Sequence, residues 1–284
     1  MLLSQVIPEP SRIAAAAPDT LRRQIDLRLA ALLPARPGEA LGAAMRHAAL
    51  SPGRRLRPML TLLAAQELGA EGDGAAAALD GGCAIEFVHA ASLALDDLPA
   101  MDDAPWRREQ RATHVEHGED LAILAAVALL AQAFAIIATL PGVDAARRAR
   151  LGSRLADVVA RLTQGQASDL RRSAVDASAL AQCSSAKTAA LFELGVDIAA
   201  AAAGCGHDDA RALALARCAQ HLGVAYQMLD DLHDAGIDQD RSSHVMLLGA
   251  AGTRRALADR VEAALDQLPR RDGPLGGFVV ALFA

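Results

Sequence analysis

The sequence predicts an all-α protein built around one core. Three observations carry that expectation. Alanine dominates, in runs such as Ala14–Ala17 and Ala199–Ala203, and alanine is the strongest helix former. Apolar residues recur at helical spacing in one segment after another. Strand-like alternation of β-branched residues is nearly absent, and aromatics make up only 2% of 284 residues. With 52% hydrophobic residues, no internal repeat and no linker-like stretch, residues 1–284 read as a single domain.

Residues 1–17, with Pro8 and Pro10, read as a loose arm. Asp19-Thr20 is placed to cap a helix running to about Leu33, with Leu21, Ile25, Leu29 and Leu32 on one face. A second helix is expected from about Gly38 to Leu50, ended by Ser51-Pro52-Gly53. Gly53-Arg54-Arg55-Leu56-Arg57-Pro58 then sets three arginines beside a helix start, with Pro58 near the first position. A helix N-terminus flanked by guanidinium groups suits a diphosphate. The same stretch also fits a solvated basic turn.

The run Glu86 to Asp103 reads as an apolar helix ending in carboxylates. Val88, Ala91, Leu95 and Leu98 keep helical spacing, and Pro99 stops the helix just after Asp97. Asp96, Asp97, Asp102 and Asp103 thus gather where the helix macrodipole is already negative. A cation relieves that repulsion, and clustered Asp oxygens suit Mg²⁺. A second cluster follows far along the chain. Asp230 and Asp234 stand at i, i+4, with Asp231 between them, before the stop at Gly236. Two carboxylate groups at the ends of two apolar helices suggest a metal site spanning a cavity, with a phosphate or diphosphate as its ligand. His89, seven residues before Asp96, shares a stripe with Ser92 and Asp96; by itself it fits a hydrogen-bonded core residue.

Leu121 to Val143 carries no charge over 23 residues, long enough to cross a bilayer. Its alanine content, Gln132 and Thr139 favour a buried or subunit-interface helix instead, so no membrane span is expected. A net charge of −6 argues against nucleic acid as partner. The four cysteines lack metal spacing and fit thiols in a reducing cytosol. Met1–Ala17 lacks a signal-peptide pattern, so a cytoplasmic protein is expected. A helix from about Arg254 to Leu268 and a short apolar tail end the chain.

The stretch His89–Asp103, followed by Trp106-Arg107-Arg108 and Gly118-Glu119-Asp120, resembles the trans-isoprenyl diphosphate synthases, from about Gly53 to Gly249. Asp96-Asp97-Leu98-Pro99-Ala100-Met101-Asp102 is similar to their first aspartate-rich motif in its longer bacterial form, and Asp230-Asp231-Leu232-His233-Asp234 to the second. The resemblance implies the isoprenoid synthase helical bundle with a central cavity, and a homodimer joined through the Leu121–Val143 helix. It implies three Mg²⁺ ions held by Asp96, Asp97, Asp102 and Asp230, with Asp231 and Asp234 in support. Arg54, Arg57, His89 and Arg108 would hold isopentenyl diphosphate. Arg107 and Gln166 would serve the allylic substrate, and Lys187, Thr188 and Gln227 the developing cation. The small Ala91 and Ser92 would leave room for a C20 product, geranylgeranyl diphosphate, where aromatic residues stop the chain at farnesyl.

The sequence departs from the family pattern at four places, one of them a packing change, Ala126-Val127-Ala128-Leu129-Leu130 for Gly-Asp-Ala-Leu-Leu. Arg54 replaces a lysine, Glu109 replaces a glycine and is placed to draw Arg108 away, and Ser242-Ser243 replaces a Gly-Lys pair. These last two favour a weakly active or modulating subunit, while both intact aspartate clusters oppose it. A farnesyl diphosphate synthase is a further alternative. A terpene cyclase fits less well, because it has no isopentenyl diphosphate to bind with Arg54, Arg57, His89 and Arg108.

Overall fold

The computed structural model describes residues 17–33, 38–171, 189–206, 208–233 and 243–284. Their helices are α1 (Ala17–Leu32), α2 (Ala40–Ala49), α3 (Leu56–Glu67), α4 (Asp73–Asp96), α5 (Thr113–His117), α6 (Glu119–Ala138), α7 (Ala145–Leu170), α8 (Ala190–Ala202), α9 (Ala210–His233), α10 (His244–Asp266) and α11 (Pro274–Phe283). The strands among these residues are β1 (Trp106–Arg107) and β2 (Gln110–Arg111), one short antiparallel hairpin.

Helix α4 is the axis of the bundle, in contact with α3, α6 and α8. It is apolar on every side and its middle is buried from Gly81 to Val88, the behaviour of a helix surrounded by others. Two adjacent glycines let its neighbours close in. A Cβ on Gly81 would stand 2.4 Å from the Ile198 side chain of α8, and one on Gly82 3.1 Å from the backbone of Pro58 in α3. The core runs without a break from Ile25 and Leu29 in α1, through Phe87 and Phe192, to Phe283 in α11.

Four sequence expectations shift. Helix α1 already begins at Ala17, so Asp19 lies in its first turn rather than before it. Helix α3 begins at Leu56, which makes Pro58 its third residue; it still needs no intrahelical donor there. The helix expected from Arg254, α10, starts instead at His244, because Ser243 caps it, and a break at Gly249 (φ 69°) interrupts it. The apolar tail is a helix, α11, whose start carries Pro274.

Helices α4 and α6 are both long and apolar enough to cross a membrane, and α4 is mostly buried within the bundle. Helix α6 buries one face on α4, while Leu124, Val127 and Phe134 stay exposed on the other.

Candidate active site

The first acidic cluster is built at the end of α4. The helix ends at Asp96, capped by Asp97. The chain then doubles back: the Asp102 N–H donates to the Asp96 carbonyl (2.9 Å), and the Ala104 N–H to that of Asp97 (3.2 Å). The fold-back brings Asp102 beside Asp96, both half-buried. Asp97 takes a different direction. It is almost wholly buried, and its carboxylate accepts from Arg107 Nε at 2.9 and 3.2 Å and from Nη2. Sequence reasoning set Asp97 among the metal ligands and Arg107 on the allylic diphosphate; in the fold each satisfies the other. Burial works against the Arg107 charge, but Asp97, Asp96 and Asp102 outweigh it and raise its pKa.

The three arginines of residues 54–57 separate by role. Arg55 is buried and structural. Its guanidinium bonds Asp26 (2.7 Å), Glu86 (2.9 Å) and the Ser51 carbonyl (2.8 Å), which ties α1, α3 and α4 together. Arg54 is exposed. Arg57 lies over the Phe192 ring, 5.5 Å from its centroid, a cation–π geometry, and Phe192 in turn meets Tyr226 at 6.4 Å. Arg57 Nε is buried and has no hydrogen-bond partner among the described residues.

Arg108 reaches this cluster from the β1–β2 turn, where its φ is 57°. Its Nη1 donates to the Pro52 carbonyl and stands 2.4 Å from where a Cβ on Gly53 would be. Glu109 does not draw it away: it is exposed, and no ion pair joins the two.

This basic cluster is short of negative charge. Burial lowers the basicity of Arg57, and Arg108 adds to that effect against Glu86, Tyr226 and Asp230. Burial likewise lowers Arg108, with Arg55 and Arg107 opposing its charge. His89 is pushed well below the ordinary histidine range by burial and then by Arg57, Arg108, Arg107 and Arg55. It is therefore neutral near pH 7, when no anion is bound, and offers a ring N–H as a donor. A bound diphosphate would relieve all three groups.

The second acidic cluster ends α9 and adjoins this basic group. Asp230 is near enough to Arg57 and Tyr226 to act on their titration: burial raises the Tyr226 pKa and Asp230 raises it further. Asp231 instead bonds His244, the first residue of α10, and Gln227, one turn back on its own helix. Burial alone would raise its carboxyl, but those bonds outweigh it and hold the pKa below the usual value. Ser243, one of the residues standing where the family has basic ones, is the cap of α10: its Oγ accepts the Met246 N–H at 3.2 Å. Gln166 lies near the end of α7 with its side-chain oxygen buried and unbonded among the described residues. Lys187, Thr188, Asp234, Arg241 and Ser242 lie outside the described residues.

Residues 38–245 match the family model described as polyprenyl synthetase. The chain belongs to the polyprenyl synthetase family. It is 40% identical over 267 residues to the geranylgeranyl diphosphate synthase of Pantoea ananas, covering 89% of this chain and 87% of that one. To the enzyme of the same name from Pseudescherichia vulneris it is 38% identical over 259 residues, with 87% and 83% covered. Among solved structures, the apo FPP/GFPP synthase of Zymomonas mobilis superposes with a TM-score of 0.83 at 28% identity, over 93% of this chain and 95% of that one.

The fold thus brings Asp96, Asp102, Asp230, Arg57, Arg108 and His89 of this polyprenyl synthetase around one region, as their mutual electrostatic effects record. Sequence reasoning missed Phe192 and Tyr226, which support Arg57, and His244, which holds Asp231. Phe192 and Tyr226 carried no signal beyond helical apolar spacing. The Asp231–His244 pair had none at all, because the two residues come from different helices.

Proposed function

We propose that this polyprenyl synthetase is a Mg²⁺-dependent geranylgeranyl diphosphate synthase, condensing isopentenyl diphosphate with allylic diphosphates up to farnesyl diphosphate. The observation that carries the reading is a buried pair of mutually opposing cations, Arg57 and Arg108, beside a His89 that they help keep neutral, with Asp230 acting on Arg57. The two similar geranylgeranyl diphosphate synthases support the product length.

The donor set fits a hard divalent ion. It is all oxygen, Asp96 and Asp102 on one wall and Asp230 on the other, each half-buried at or beside a helix C-terminus. Mg²⁺ usually takes one or two carboxylates and completes its shell with water and substrate phosphates. Asp96, Asp102 and Asp230, with Asp234 in support, would hold the three Mg²⁺ ions of the proposed site. When bound, the metal supplies positive charge to the leaving diphosphate.

The side chains do the rest. Arg54, Arg57, His89 and Arg108 bind isopentenyl diphosphate and hold its double bond towards the allylic carbon. The allylic C–O bond breaks and its electron pair leaves with the diphosphate. The isopentenyl double bond attacks the freed carbon, and a proton then passes to the released diphosphate. Gln166, Lys187, Thr188 and Gln227 serve the allylic end. We further propose a cytoplasmic homodimer, formed over the exposed Leu124, Val127 and Phe134 of α6.

Incubating the purified protein with Mg²⁺, labelled isopentenyl diphosphate and geranyl or farnesyl diphosphate tests the reading. A C20 diphosphate is the expected main product. No elongation from either primer would overturn it.

Arg108 provides a finer check. Gly53→Ala puts a methyl where Arg108 Nη1 now lies. The arginine end is free to swing, so stability is expected to hold within about 0.5 kcal/mol. The KM for isopentenyl diphosphate should rise about tenfold, the loss of a charged hydrogen bond of roughly 1.4 kcal/mol. The KM for the allylic substrate should stay unchanged, as steady-state kinetics with each substrate varied will read.

A further inference from the structure

The second acidic cluster holds two adjacent aspartates with different surroundings. Successive helical residues point about 100° apart, so Asp230 and Asp231 do not address the same point. Asp230 acts on Arg57 and Tyr226 across the site. Asp231 is engaged on both oxygens. Its Oδ2 accepts the His244 backbone N–H at 2.8 Å and His244 Nδ1 at 2.6 Å, and its Oδ1 accepts Gln227 Nε2 at 3.0 Å. An ionised carboxylate offers about four acceptor positions, and these bonds use three of them. The carboxylate partner assigns the ring proton of His244 to Nδ1. His244 is itself only 5% exposed.

We infer that His244 is a positioning residue: through Asp231 it holds the last turn of α9, and so sets where Asp230 stands in the site. Helix ends fray unless something ties them down. Here the tie crosses from the last turn of α9 to the first residue of α10, whose own start is fixed by the Ser243 cap. Asp231 is thereby a bracket for the neighbouring aspartate rather than a metal ligand. The inference rests on the proposed function only in that Asp230 meets the metal-bound diphosphate.

The test compares His244→Leu, which fills the space without a donor, with His244→Asn, whose amide nitrogen can stand where Nδ1 does. Two readouts are taken: the KM for each substrate, and the rise in Tm that Mg²⁺ with inorganic diphosphate gives. The leucine variant should raise the allylic KM and the Mg²⁺ half-saturation about tenfold, the usual loss when a group behind a metal ligand is removed. It should leave the KM for isopentenyl diphosphate unchanged and lose most of the Tm rise, and the asparagine variant should recover most of both. Should His244→Leu fail to fold, Asp231→Asn breaks the same bracket at constant volume and is expected to give the same pattern. Equal changes in both substrates' KM, no change in either, or no recovery with asparagine would overturn the role. A wild type that shows the Tm rise but makes no prenyl diphosphate would overturn the proposed function alone, since the Tm comparison still reads the bracket.

Discussion

Replacing Asp96 or Asp230 by alanine is expected to lower kcat/KM by roughly three orders of magnitude, about 4 kcal/mol of transition-state stabilisation. Each substitution removes a carboxylate from one wall of a site that has to hold a highly charged leaving group, and the two walls do not substitute for one another. Stability should hardly change. Both aspartates are half-buried at the C-terminal ends of α4 and α9, where a negative side chain opposes the helix macrodipole. A small gain in Tm alongside the loss of turnover would be the cleanest outcome. Treating the wild type with EDTA should abolish activity, and added Mg²⁺ should restore it. Full activity in either variant, or in the EDTA-treated enzyme, would sink the metal mechanism.

Ser92→Phe is expected to change the main product from C20 to C15. On α4 the half-buried side chains Asp96, Ser92 and His89 fall on one stripe, the path we propose for a tail running from Asp96 towards the helix N-terminus. Ser92 is small, and its hydroxyl is turned back onto the His89 carbonyl at 2.9 Å. A phenyl ring there adds a large apolar body one turn below the reacting carbon. Ala91 behaves differently from its neighbour. It is 0% exposed, inside the core with Phe87 and Val88. Ala91→Phe should also shorten the product, but by forcing a ring between packed helices, at a cost on the order of 1–3 kcal/mol. Chain-length analysis of extracted products, read beside Tm, separates the two. A Ser92→Phe enzyme that still makes C20 would place the floor elsewhere, near Phe87 and Val88.

Much of the fold was legible before any coordinates. Helical spacing marked α1 and the C-terminal part of α4, and the uncharged run from Leu121 marked α6, because each buries an apolar face. Pro52 and Gly53 marked the break before α3, since neither continues a helix. The hairpin of Trp106–Arg111 was not legible: strands of two residues leave no alternation to read. Nor was the start of α10, because a capping serine followed by Met246, Leu247 and Leu248, all exposed, lacks an apolar stripe. Glu109 looked like a rival for Arg108 on sequence distance alone, whereas the turn sends the Arg108 guanidinium to the Pro52 carbonyl.

By itself, the sequence determined that this protein is helical, that two of its helices end in aspartates, and which arginines lie next to a helix start. Those properties depend on spacing along the chain, on macrodipoles and on side-chain chemistry, all of which are local. The tertiary structure decided which member of each pair does what. Arg55 is spent on Asp26 and Glu86 while Arg57 stays over Phe192. Asp97 bonds Arg107 and Asp231 bonds His244, whereas Asp230 acts on Arg57 and Tyr226. Neighbouring residues of like charge are nearly equivalent in sequence, and a helix turns them about 100° apart. What each then meets is set by elements that arrive from elsewhere in the chain.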